Sequence, residues 1–209
     1  MTAIHSLTLD VADPDAAAAF YAAAFGLGDR IRVREGQPAT TGFRGFAVSL
    51  VVAQPSTVDS LAGTALDGGA TALKPAARSF WGYGAVLRDP YGTIWKIASS
   101  AKKDTGPASR EVDDVVLLLG VTDVAASKRY YVERGLPVTK SYGRKYVEFG
   151  TAPIKLAMYS RRAAAKDLGV DAAGSGAHRL TIGGDAGGFA DPDGFGWAAA
   201  TTAAPARER

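Results

Sequence analysis

The sequence predicts an α+β fold: two tandem βαβββ modules whose curved, mainly antiparallel sheets enclose a pocket, with the helices outside. Three observations lead there. The stretch DPYGTIWKIASS at 89–100 returns about a hundred residues later as DPDGFGWAAA at 191–200. Each copy closes a unit of the same order: an apolar strand, a capped helix, then further strands. With Asp13 set against Asp123, Val11 meets Val121, Tyr21 meets Tyr131, and Gly26-Leu27 meets Gly135-Leu136 within one residue.

The first module spans 1–100 and opens with IHSLTLDV, a strand rich in Leu, Val and Thr. Asp13 then stands at a helix N-cap, and Pro14 takes the first helical position, where its missing N–H costs nothing. DAAAAFYAAAF is a helix by propensity, and Gly26 stops it. RIRVRE and GFAVSLVVA read as strands, and TVDSLAGTALDGGA as a second helix before the closing strands. A polar linker follows at 101–112. The second module, 113–200, repeats the pattern: DVVLLLGV, a helix capped by Asp123 and stopped near Gly135, then KYVEFG and PIKLAMYS. Its counterpart of the second helix, AAAKDLGVDAAGSGA, is shorter and Gly-rich. Residues 201–209 read as a frayed tail.

The 209 residues hold 47% hydrophobic and 22% charged side chains, a globular composition without an apolar run of membrane-spanning length. The N-terminus lacks the pattern of a signal peptide. The absence of cysteine excludes disulfides, thiolate catalysis, iron–sulfur clusters and Cys-ligated zinc, and with the rest points to the cytoplasm. A net charge of +3 with scattered Lys and Arg forms no nucleic-acid footprint. No G-x-S-x-G, H-E-x-x-H or P-loop is present, and GGDAGG lacks the spacing of a dinucleotide fingerprint.

V-x-D before the helix, F-Y or Y-Y within it, G-L after it and D-P-x-G-x-x-W at the close, each occurring twice in order, resemble the glyoxalase/bleomycin-resistance/extradiol-dioxygenase superfamily, the vicinal oxygen chelate fold. The resemblance covers nearly the whole chain. It implies that metal-dependent members carry a His or Glu early in the first strand of a module and a Glu after the closing turn. Carried over by the family's spacing, seven residues before the capping Asp and seven after the Asp of the turn, those positions are Ser6, Lys96, Val116 and Ala198. None is a histidine or a carboxylate. A lysine ammonium has no lone pair to offer a cation, and Val and Ala offer nothing. No metal and no cofactor is therefore expected. His5 lies beside the first slot, but strand alternation groups it with Leu7, Leu9 and Val11 under the helix, leaving Ser6, Thr8 and Asp10 on the pocket side. His178 has no ligand role in the family.

In this register the pocket takes Ser6, Thr8, Asp10, Ile94 and Lys96 from the first unit and Val116, Leu118, Gly120, Gly196 and Ala198 from the second. Trp81, Tyr83, Phe43 and Phe46 are candidates to stack on a flat ligand; Trp95 and Trp197 face away, into the core. Lys96 is the sharpest candidate: it can bind a carboxylate or phosphate, act as a base, or pair with Asp10. The leading expectation is a metal-free protein that binds a small organic molecule, sequestering a drug-like natural product as the bleomycin-resistance branch suggests. The alternative is a lyase, isomerase or dioxygenase of the superfamily, metal-dependent or using Asp10 and Lys96 as acid and base. A homodimer is the preferred assembly, with no nucleic-acid or membrane partner.

Overall fold

The computed structural model describes residues 2–107 and 109–199; the tail read at 201–209 lies outside them. The first half of the chain runs β1 (Ile4–Val11), α1 (Pro14–Phe25), β2 (Ile31–Glu35), β3 (Thr40–Gly42), β4 (Phe46–Val51), α2 (Pro55–Asp67), β5 (Thr71–Ser79), β6 (Gly82–Arg88) and β7 (Ile94–Ser99). The second half runs β8 (Asp114–Val121), α3 (Val124–Glu133), β9 (Val138–Tyr142), β10 (Tyr146–Phe149), β11 (Ile154–Ser160) and α4 (Arg161–Leu168). It ends with β12 (Gly174–Gly176), β13 (Leu180–Gly184), β14 (Phe189–Ala190) and β15 (Gly196–Ala199). None of these helices is long and apolar enough to cross a membrane.

The helix signals act as the sequence predicts. Asp13 accepts a hydrogen bond from the Ala16 N–H with Pro14 at the first turn, and Gly26 closes α1 in the left-handed conformation. Asp123 accepts from the N–H groups of Ala125 and Ala126 at the head of α3. Helix α2 has no side-chain cap of its own. The linker supplies one: Asp104 accepts from the Ser56 N–H, and Gln54 binds the backbone of Thr105, Gly106 and Pro107. Arg110 donates to the carbonyls of Ala23 and Ala24 at the end of α1, where a cation complements the helix dipole. The linker is thus pinned at both of the helices it passes.

Strands from the two halves are shared between two main sheets. An eight-stranded sheet has the order β5-β6-β7-β4-β8-β11-β10-β9, and a five-stranded sheet the order β14-β15-β13-β1-β2. β4 and β8 pair antiparallel, joining a β4-α2-β5-β6-β7 half to a β8-α3-β9-β10-β11 half. β1 and β13 pair antiparallel across the two ends of the chain. One large core lies between the sheets. It holds Leu7 and Leu9 from one sheet, Leu50, Trp95 and Leu117 from the other, and buried side chains of α1, α2 and α3. Burying this surface is the main driving force for bringing the sheets together.

A hydrogen-bonded clamp in each half ties these layers together, and it accounts for the repeated motifs. In the first half the Tyr21 hydroxyl and the Trp95 indole N–H both donate to Asp89 Oδ2, at 2.8 and 2.9 Å. The N–H groups of Tyr91 and Thr93 donate to its Oδ1. In the second half Tyr131 donates to Asp191 Oδ2 at 2.7 Å, and Trp197 donates to the Tyr131 oxygen at 3.1 Å. The Asp of each D-P-x-G turn therefore meets the Tyr of the first helix in its half, α1 or α3, and involves the Trp of the following strand. Both Trp rings are buried, as the sequence predicts.

Candidate functional site

The pleat of the eight-stranded sheet sorts its residues onto two faces. Val48, Leu50, Trp95, Ile97, Leu117 and Leu119 enter the core. The opposite face carries a row that register sets side by side: Val86, Lys96, Ser49, Val116 and Lys155. Two of the four family ligand positions, Lys96 and Val116, thus flank Ser49 in this row. The other two, Ser6 and Ala198, flank Gly183 in the five-stranded sheet. The structure groups the four as two pairs, one per sheet.

The face bearing Lys96 opens into a cavity of about 720 Å³, within the range of small-molecule sites. Lys74 and Arg78 from β5 line it on one side, and Lys140 and Tyr142 from β9 on the other. β5 and β9 are the two edges of the sheet, so the sheet curls until its edges face each other across the cavity. Tyr146 and Tyr159, adjacent across β10 and β11, form the inner wall with ring centroids 4.8 Å apart. They cover a small apolar cluster of Val116, Leu118 and Ala157.

Helix α4 occupies the other end of this cup. Its Ala164, Ala165 and Leu168 pack against Phe43, Ala47, Val86 and Ile94, the last three on the same face as Lys96. Gly120 permits the approach, since a Cβ there would stand 3.1 Å from the Arg161 Cα. α1, α2 and α3 lie on the convex side of the sheets, whereas α4 lies inside the concavity. It brings Asp167 to Lys96, with Nζ to Oδ2 at 2.6 Å.

This corrects the expected partner of Lys96. Asp10 lies on the other sheet and pairs with Arg34 at 2.6 Å, so no Asp10–Lys96 acid–base pair forms. Ser6, Thr8 and Asp10 share the outer face of the five-stranded sheet with Ala198 and do not line the cavity. Ser6 is buried against Gly183, where a Cβ would lie 2.6 Å from the serine oxygen. Of the expected ligand-stacking aromatics, Phe46 enters the core between the sheets and Phe43 lies beneath α4 against Arg161; neither reaches the cavity. Tyr83 lines the cavity, but its ring packs against the core and its hydroxyl donates to Asp59 of α2 at 2.8 Å. Trp81, at the β5–β6 hairpin tip, does stand at the cavity, 82% exposed.

His5 departs from the predicted stripe for a local reason. β1 changes register between Ile4 and Ser6, a bulge that puts Ile4 in the core with Leu7 and turns His5 outward to Asp185 at 2.8 Å. His178 stacks on Phe195 and bonds the carbonyls of Arg44 and Asp193, a structural setting.

Sequence reasoning did not single out Lys74, Arg78, Lys140, Tyr142, Tyr146, Tyr159 and Asp167 as site residues. The alternation in KSYGRKYVEF carries a signal for Tyr142, Tyr146 and Glu148, but which strand faces which across a cup is not written in either strand alone. Glu148 accepts from the Tyr146 hydroxyl at 2.7 Å and lies 3.5 Å from Lys140. Burial raises the Tyr146 pKa, as does the adjacent Glu148. Tyr159 is raised by burial and then by the negative charges of Asp167 and Glu148. Both phenols therefore stay protonated at neutral pH and serve as neutral donors.

The donor set does not fit the divalent metal that the superfamily implies. The row at the ligand positions holds lysines, Ser49 and Val116, and among the described residues no three His, Cys, Asp or Glu converge on a point. The site offers cations for an anionic group, phenols for hydrogen bonds, and aromatic faces for stacking.

No protein-family model matches the chain, and a search of curated proteins returns no match. Solved structures do match. Glyoxalase I from Zea mays superposes with a TM-score of 0.62 at 15% identity, covering 95% of this chain and 92% of that one. A putative dioxygenase from Bacillus subtilis subsp. subtilis str. 168 superposes with a TM-score of 0.51 at 14% identity, covering 91% and 71%. With the paired βαβββ halves and their curled sheet, these likenesses establish that the chain has the fold of glyoxalase I, the vicinal oxygen chelate fold.

Proposed function

We propose that this protein binds a small organic molecule in the cup of the eight-stranded sheet without a divalent metal, and holds it rather than converting it. One observation carries the reading: the row that should present metal donors presents Lys96, Ser49 and Val116 beside an open cavity walled by tyrosines. Divalent ions need lone pairs at that point, and an ammonium group opposes them by charge as well. A ligand of two or three fused rings suits the volume and the walls. Sequestration of a drug-like natural product in the cytoplasm, by a homodimer, is the form of this function that the resemblance to the bleomycin-resistance branch favours.

Native mass spectrometry of the protein purified without chelator tests the proposal. A metal-free mass, with an organic adduct released on denaturation and no product over many equivalents of ligand, is the expected result. One divalent ion per cavity would overturn it in favour of a metal-dependent lyase or dioxygenase. Multiple turnovers abolished by Lys96→Ala would do so in favour of a metal-free enzyme.

A further inference from the structure

We infer that the ligand of this cup is a planar aromatic anion, its rings against the tyrosine wall and its negative charge toward the lysines. The inference rests on the binding function proposed above and names the class of molecule bound. Four cations line the cavity: Lys74, Arg78, Lys96 and Lys140. Two carboxylates answer them, Asp167 at Lys96 and Glu148 behind Lys140. Lys74 donates to the carbonyls of Lys166 and Asp167, and Arg78 to that of Lys102. A carbonyl accepts a hydrogen bond but does not neutralise a charge, and neither residue has an ion-pair partner among the described residues. The walls thus carry two positive charges in excess. A curled sheet focuses that field into the cup.

The aromatic part follows from the opposite wall. Tyr142 stacks over Tyr146 with centroids 5.8 Å apart and planes 29° apart, and Tyr159 adjoins Tyr146. Trp81 stands exposed at the mouth. Such surfaces take a flat ring by stacking. The Tyr159 hydroxyl has no hydrogen-bond partner among the described residues, which leaves it to donate to an anionic oxygen near Lys96.

Three probes of one shape separate charge from fit: 1-naphthoate, 1-naphthamide and 1-naphthylmethylammonium, titrated calorimetrically into the intact protein. Naphthoate should bind about tenfold more tightly than the amide, the factor of one charge-assisted contact, with the ammonium weakest. The double variant Lys74→Ala/Arg78→Ala, on an exposed edge strand, should bring the naphthoate-to-amide ratio close to one. Equal affinities, or a preference for the ammonium, would overturn the anion inference and leave the binding function standing. An unchanged ratio in the double variant would overturn the assignment to these two cations. If none of the three binds, the anion inference falls, and native mass spectrometry alone decides the binding function.

Discussion

Lys96 and Ala198 stand one residue past the same tryptophan, after the same turn, in two halves of one chain. Behind them the halves are nearly alike: a buried Asp, a helix Tyr, a Trp and two turn N–H groups make each clamp. In front they differ. Lys96 looks into a cavity, whereas Ala198 lies beside Gly183 with Ser6 filling the space above it. The repeat therefore retains what holds the turn and diverges at what the turn presents. Clamp residues answer to buried hydrogen bonds that every copy of the fold must make. The cup face answers only to what is bound there.

The largest effects should come from the shared part. Asp89→Ala leaves a phenol, an indole and two backbone N–H groups without their acceptor, and should cost about 3–5 kcal/mol in urea unfolding. Asp191 accepts from one donor fewer, the Tyr131 hydroxyl and the N–H groups of Asp193 and Phe195, so Asp191→Ala should cost less, about 2–4 kcal/mol. Equal losses would erase the distinction between the clamps.

Their wiring sharpens the comparison further. Trp95 binds its Asp directly, but Trp197 binds through the Tyr131 oxygen. Tyr131→Phe strands both Asp191 and Trp197 and should cost about 2 kcal/mol, against about 1 kcal/mol for Tyr21→Phe. A reversed order would show that the wiring does not decide the cost.

The pH dependence of the first clamp is a smaller effect. Burial pushes the Asp89 carboxyl above the ordinary carboxylate value, while hydrogen bonds from Trp95, Tyr21 and the turn pull it back. With the folded value raised, the folded chain takes up a proton first as pH falls. The stability linked to this proton is fully present below the ordinary carboxylate value and is lost as pH rises through the raised one. The melting-temperature advantage of the wild type over Asp89→Asn should therefore widen as pH falls from neutral toward about 4. A constant difference would mean that Asp89 is not raised.

The smallest expected change is at the divergent position itself. Lys96 and Asp167 are 28% and 40% exposed in their side chains, so their ion pair is screened by water. Lys96→Ala should shift stability by less than about 1 kcal/mol in the same unfolding assay. A loss as large as that of a clamp variant would make Lys96 a structural residue and remove the contrast on which the site rests.

Much of the fold was legible because its signals are local. An Asp N-cap, a left-handed Gly and an Asp-Pro-x-Gly turn each act within a few residues and recur in both halves, and Pro14 adds a first-turn signal in the first. The site was legible only in part. Alternation correctly set Lys96, Val116 and Leu118 on one face and Trp95 on the other, because register along a strand has a period of two. It failed at His5, where a bulge breaks that period; Phe46, expected to stack on a ligand, instead follows the period of Val48 and Leu50 into the core.

By itself, then, the sequence determined the repeat, the capped helices, the closing turns, and the lack of imidazole or carboxylate at the family's ligand positions. Only the tertiary structure decided that strands of the two halves share two sheets, that Ser6 and Ala198 part company with Lys96 and Val116, and that α4 enters the cup to set Asp167 on Lys96. The physical reason is range. Caps and turns are stabilised by hydrogen bonds between residues a few positions apart, so the chain carries them wherever it goes. A cup walled by β5 at one edge and β9 at the other exists only once burial of the shared core has curled eight strands together.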